Sequence, residues 1–218
     1  MANPSVLYAV LTFISAYLIG SINFAVIFTK IFIKRDIRDF GSGNAGTTNV
    51  MRVGGFWPGF LTFVCDALKG FVACEIGYLV FDYINITNPQ EWSLAIYGAY
   101  ICGLACMLGH VFPIFFQFKG GKGVATSVGI FAVCCPIAII LGLAAFAIST
   151  LISKIVSLSS IIATVVVVVL SLIFYDNNAL FLPQAIPCIL MGIVVILKHK
   201  DNIKRLIKGE EKKLTIRR

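Results

Sequence analysis

Two short stretches of this chain place glycines, hydroxyls and cations in a pattern suited to holding phosphate. "GSGNAGTTN" runs from Gly41 to Asn49 with Arg52 just beyond it, and "KGGKGVATS" runs from Lys119 to Ser127. Glycines let backbone N–H groups come close to an anion, and each stretch precedes an apolar segment whose helical N-terminus would add positive potential. Neither is a nucleotide-binding P-loop: Gly46 is followed by Thr47 where that pattern requires lysine, and Lys122 is followed by Gly123. This argues against an ATPase. A single such turn is as well explained by a helix cap. Two of them, with Arg52, Lys119 and Lys122 at hand, point to an anion site if the fold brings them together.

What must position these loops is a membrane bundle. The chain has 218 residues, of which 59% are hydrophobic, 18 are Phe and only 13% are charged. Its mean hydropathy is +0.94. That much apolar side chain does not fit one water-soluble core. The run Val6 to Phe28 has the length of a span and lacks a basic start or a small-residue cleavage site, so it reads as a retained crossing. Seven cysteines, odd in number and set in apolar segments without metal-ligand spacing, read as free thiols acting as small hydrophobes. No metal cluster, cofactor loop or nucleic-acid pattern is visible.

Six apolar stretches stand out, at residues 5–29, 55–81, 92–116, 123–153, 155–175 and 180–197. Short cytoplasmic loops collect Lys and Arg, which puts the loop bearing Lys30, Lys34, Arg35, Arg38 and Arg52 inside and the N-terminus outside. The connection Asp82 to Glu91 has no Lys or Arg and suits the outside. Lys119 and Lys122 then face the cytoplasm. The tail, basic from Lys198 to Arg218, is also cytoplasmic only if 123–153 crosses twice, broken at "CCP", Cys134 to Pro136. That gives seven crossings. Because two crossings are short for that space, the helix after "KGGKG" should begin inside the protein, beside a polar site. Two surface helices are expected on the cytoplasmic leaflet: "IFIKRDIRDF", with Ile33, Ile37 and Phe40 on one face, and the tail, with Ile203, Leu206 and Ile207.

"GSGNAGTTNVMR", "GHVFPIFFQFKGGKGVATS", "VSLSS" and "KHKDNIKRLIKGEE", in this order, resemble the bacterial acyl-phosphate:glycerol-3-phosphate acyltransferases, the PlsY family, from Gly20 to the tail. Thr47 is the one departure noticed, where the family pattern has Ala. The resemblance implies an all-α integral membrane protein of the bacterial cytoplasmic membrane, with seven transmembrane helices, short interfacial helices and a cytoplasmic active site. Residues 1–218 would form one acyltransferase domain, with 1–197 the bundle and 198–218 a basic tail that contributes to the site. The implied reaction moves a fatty acyl group from acyl phosphate to the first hydroxyl of glycerol 3-phosphate and yields lysophosphatidic acid and inorganic phosphate. No cofactor is implied. The soluble enzyme that makes acyl phosphate is a candidate partner. Carried over by motif, Ser42, Arg52, Lys122, His199 and Asn202 are catalytic. Gly43, Asn44, Thr48, Asn49, Lys119, Gly120, Gly121, Gly123 and Ser160 are substrate or phosphate contacts, and Glu210 is structural.

The residue types fit that chemistry. An acyl phosphate is already activated, so alignment and stabilisation of negative charge matter more than a covalent relay. His110 in "GHVFP" reads as a structural hydrogen bond closing its turn, and Asp66 and Lys69, three apart, as a self-satisfying pair inside the bundle. Neither His has the His-x4-Asp pattern of acyltransferases with a histidine base, since Phe115 and Lys204 stand at that position. The donor phosphate or His199 takes the proton, and any of Ser157, Ser159 and Ser160 could meet substrate. A transporter of a small phosphorylated solute would also aim helix N-termini at an anion. Phosphate release without a second compartment separates the two.

Overall fold

The computed structural model describes residues 4–87, 95–174 and 181–214. Residues 88–91 of the expected external connection, and Arg217 and Arg218 of the tail, lie outside them. Ten α-helices and no strand occur among the described residues: α1 (Pro4–Gly20), α2 (Phe24–Ile33), α3 (Thr47–Gly54), α4 (Phe56–Thr87), α5 (Ala95–Val111), α6 (Val124–Cys134), α7 (Pro136–Ser153), α8 (Val156–Phe174), α9 (Phe181–Lys198) and α10 (Lys200–Ile207). Four segments are long and apolar enough to cross a bilayer, Ser5–Ile33, Ala95–Phe116, Pro136–Ser153 and Val156–Phe174. α4 has 32 residues and is interrupted by Asp66, Lys69, Glu75 and Asp82.

The 123–153 stretch divides at "CCP". Pro136 cannot supply the N–H that would continue α6, so Cys135 leaves helical geometry and Pro136 opens α7. α6 has 11 residues and is roughly 16 Å long, about half of the ~30 Å hydrocarbon core. The turn that leads into it is buried at Gly121 and Gly123. What holds this short helix is close packing: a Cβ on Gly129 would lie 1.8 Å from the Ala67 carbonyl oxygen, and one on Gly70 2.4 Å from that of Thr126. Small residues serve this way in lipid, where no hydrophobic force drives helices together.

The first apolar run is long and apolar enough to cross a bilayer, as expected, but it is two helices: it breaks at Ser21–Asn23, where the Asn23 side chain caps α2 by accepting from the Val26 N–H at 3.2 Å, and Lys69 donates to the Ile22 carbonyl at 2.7 Å. "IFIKRDIRDF" is likewise no continuous surface helix. α2 ends at Lys34 in the left-handed region, a short 3₁₀ turn spans Ile37–Asp39, and Ile37 is fully buried with Ala25, Val26, Ala45 and Val50. The tail does form the expected helix, α10. Asn202 faces inward, while Ile207 is 82% exposed.

The described cysteines are all free, and Cys74, Cys102, Cys106, Cys134 and Cys188 are buried. No group of His, Cys, Asp or Glu able to hold a metal occurs among the described residues.

Candidate active site

The first glycine loop is built around Asn49 on α3. Its buried amide accepts from the Ser42 N–H at 2.9 Å and donates to the carbonyls of Phe40 (2.9 Å), Asn44 (3.1 Å) and Ile37 (3.3 Å). With every polar atom engaged in holding the loop's own backbone, Asn49 has nothing left for a phosphate. Arg38 fixes the loop from outside. It forms a fork with Asp36, with contacts of 2.8 and 3.0 Å, and donates to the Phe116 carbonyl at 3.0 Å. The Arg38 hydrogen bond holds the Asp36 carboxyl below its usual range. Ser42 and Gly43 are exposed, Asn44 and Thr48 are half-buried, and Arg52 is a half-buried cation without a hydrogen-bond or ion-pair partner among the described residues.

The second loop lies against the first. A Cβ on Gly121 would meet His110 Nε2 at 2.2 Å and the Ala45 carbonyl oxygen at 2.7 Å, so this position is glycine because the ring and the first loop occupy both sides. The Gly121 N–H donates to the His110 carbonyl at 3.2 Å. Gly123, with φ of +88°, turns the chain into α6. Lys119 is exposed and unpartnered among the described residues.

Lys122 points the other way, into the tail. Its Nζ donates to Asn202 Oδ1, and Asn202 Nδ2 donates to Glu211 Oε1 at 2.6 Å. Glu211 also accepts from Ser157 Oγ at 2.8 Å and pairs with Arg205 at 2.6 Å. Burial works against its charge, but the bonds from Arg205, Ser157 and Asn202 outweigh it and hold the carboxyl below its usual range. Burial pushes Lys122 down to about 8, against the pull of Glu211. His199, 2% exposed, donates from Nδ1 to the Val195 carbonyl at 2.8 Å, which leaves Nε2 as a lone pair. Burial, then the nearby Lys122 charge, push this imidazole down to about 4.

Below this polar cluster an apolar groove runs between α6, α7, α8 and α9. Its upper rim is Val124 and Ser127 of the first turn of α6 with Val195, and deeper it is lined by Phe131, Ile139 and Val167. The groove thus begins one residue beyond Gly123.

The expected site residues fall into two groups. Lys122, His199 and Asn202 converge, and Gly120, Gly121 and Gly123 form the turn beside them. Two residues differ from expectation, Asn49 and Glu210. Asn49 serves the loop's own backbone. Ser160 donates to the Val156 carbonyl at 2.9 Å and lines the groove, while Ser157 reaches the polar cluster. Glu210 is exposed, and the carboxylate that ties α10, the tail and α8 together is its neighbour Glu211. His110 does not close its own turn: Nδ1 lies 3.4 Å from Asp66 Oδ1, which is itself 2.8 Å from Lys69 Nζ.

The profile of the glycerol-3-phosphate acyltransferase family matches residues 10–209. A relative from Bacillus anthracis, glycerol-3-phosphate acyltransferase 2, is 40% identical over 205 residues, covering 94% of this chain and 98% of its own. A glycerol-3-phosphate acyltransferase from Thermoanaerobacter sp. strain X514 is 43% identical over 211 residues, with 95% and 96% covered. The fold is similar to a crystal structure of PlsY, an integral membrane glycerol 3-phosphate acyltransferase, in its glycerol 3-phosphate form. Its TM-score is 0.81 at 34% identity, with 95% of this chain and 96% of that one covered. The same protein's lysophosphatidic acid form gives 0.78. With the motifs, the helical bundle and the profile in agreement, this chain belongs to the PlsY family of integral membrane glycerol-3-phosphate acyltransferases.

Proposed function

We propose that this enzyme transfers a fatty acyl group from acyl phosphate to the sn-1 hydroxyl of glycerol 3-phosphate, giving lysophosphatidic acid and inorganic phosphate. The observation that carries this reading is the apolar groove that begins at Val124, directly after the glycine loop that ends at Gly123. A fatty acyl phosphate has this same division, with its tail in the groove and its phosphate at the loop. The related PlsY has been solved in glycerol 3-phosphate and lysophosphatidic acid forms, which supports the acceptor and the product.

In this reading, Gly120 and Gly123 give the phosphate close access to backbone N–H groups, while the Gly121 N–H is held by the His110 carbonyl and shapes the loop. Lys122 follows the charge as that phosphate leaves, with Lys119 at the rim. Asn202, held by Glu211, sets Lys122 in place. Ser42, Gly43, Asn44, Thr48 and the unpartnered Arg52 bind the second anion, glycerol 3-phosphate, and aim its hydroxyl. The hydroxyl oxygen bonds to the acyl carbonyl carbon, the carbon–oxygen bond to phosphate breaks, and phosphate departs with the bonding pair. The proton goes to the departing phosphate, because an imidazole held near 4 is too weak a base to compete well.

The chain crosses seven times, by α1, α4, α5, the half-length α6, α7, α8 and α9. The N-terminus lies outside, and the loops and tail of the site face the cytoplasm of a bacterial inner membrane. The cations of the 30–52 loop, the 119–122 loop and the tail support this orientation. Purified protein in detergent, given glycerol 3-phosphate with either acyl phosphate or acyl-coenzyme A, tests the donor. Lysophosphatidic acid should form from acyl phosphate. Formation only from the thioester would reject the proposal.

A further inference from the structure

Asp66, Lys69 and His110 form a buried polar cluster that the proposed chemistry does not use. They are 1%, 4% and 5% exposed, on α4 and at the end of α5. Lys69 Nζ lies 2.8 Å from Asp66 Oδ1, donates to the Ile22 carbonyl at 2.7 Å and sits 5.7 Å from the Phe24 ring centroid. The lysine and the carboxylate would balance each other without a histidine. Yet His110 turns its Nδ1 edge toward the same carboxylate oxygen, at 3.4 Å, too long for a full hydrogen bond but enough to direct the ring. A carboxylate facing Nδ1 favours the tautomer with its proton on Nδ1, which would leave Nε2 its lone pair. That Nε2 edge fills the place where a Cβ on Gly121 would stand, and the His110 carbonyl takes the Gly121 N–H.

We infer that His110, oriented by Asp66 and Lys69, is a positioning residue that sets the shape of the glycine loop and so its affinity for phosphate. The inference rests on the reading of Gly120 to Gly123 as the phosphate loop. Ring and backbone of one residue grip Gly121 from beneath, so a rotation of the ring moves the floor of the loop. The ion pair alone would anchor α4 to the α1–α2 break. Its contact with the histidine extends that anchor to the loop, and the Ala45 carbonyl on the far side of Gly121 includes the first loop in the same stack.

The test separates positioning from plain stability. Asp66→Leu with Lys69→Met removes both charges together, which a bundle tolerates far better than removing one. His110→Phe keeps a ring but no nitrogen and leaves the ion pair intact, so it answers alone if the double variant does not fold. Product inhibition by inorganic phosphate, KM and kcat with acyl phosphate, and the melting temperature in detergent are measured for each.

In each variant that folds, the inhibition constant for phosphate and the KM for acyl phosphate should rise by about fivefold or more, the lower end of couplings between sites. In His110→Phe the melting temperature and the saturating rate should stay near those of the parent, whereas the double variant, which also loses the Lys69 bond to Ile22, should melt lower while its saturating rate holds. His110→Gln, whose amide can place an oxygen where Nε2 lies, should regain part of the phosphate affinity lost in His110→Phe. Folded variants with unchanged inhibition constant and KM would overturn the inference and leave the cluster an ion pair only. Lys122→Ala is the control for the loop itself. If it too leaves phosphate inhibition unchanged, the reading of the loop has failed rather than the role of His110.

Discussion

Burial lowers the Lys122 ammonium to about 8, so it begins to lose its charge as pH rises toward the edge of the working range. If its charge stabilises the leaving phosphate, kcat/KM should fall as pH rises through about 8. Lys122→Arg, whose guanidinium stays protonated, should move that limb upward whatever rate it retains. Lys122→Ala should lower kcat by roughly a hundredfold or more, the loss seen when an oxyanion donor is removed. A flat pH profile in the parent would remove the lysine's charge from the mechanism. Gly121→Ala is a different lesion. Its new methyl would run into His110 Nε2 and the Ala45 carbonyl, so the melting temperature should drop along with phosphate affinity, by about 1–3 kcal/mol of stability. The loops were legible in the sequence because their glycines, hydroxyls and cations cluster over a few adjacent positions. Glu211 was not, because its meaning lies in Ser157, 54 residues away, and Glu210 beside it is the same residue type.

At the scale of elements, α10 and the tail are held to α8 by one carboxylate. Glu211→Gln removes the charge that Arg205 pairs with and loosens Asn202, so kcat/KM should fall by about tenfold or more, equal to one charge-assisted hydrogen bond of roughly 1.5 kcal/mol. Glu210→Gln, at an exposed position, should change little. Equal losses in both variants would show that the tail acts through overall charge rather than through this clamp. Helix α6 is where the sequence was most legible: the length of 123–153 and the "CCP" break called for a division there into a short helix and a longer one, and both are present. The break at Ser21–Asn23 was hidden, since one polar pair around Ile22 leaves the hydropathy of the run almost unchanged. So was the inward turn of Ile37, because a helical face and a 3₁₀ turn place apolar residues at similar spacing.

For the whole molecule, the proposed seven crossings would put every basic loop on one side. A cysteine at position 213, in a variant with its native cysteines replaced, should react with an impermeant reagent only from the cytoplasmic face. Labelling from outside would reject the half-length α6 as a crossing. In the proposed reading, that geometry would give the enzyme one wet face for glycerol 3-phosphate and a groove for the acyl chain, with the two substrates meeting near Lys122. Transfer is then direct, with no acyl group parked on the protein. Rapid mixing of purified enzyme with acyl phosphate alone, followed by glycerol 3-phosphate, tests this most directly. No phosphate should appear before the acceptor is added, and lysophosphatidic acid and phosphate should then form in equal amounts. A burst of one phosphate per enzyme before the acceptor would contradict direct transfer, and no product after it would contradict the function.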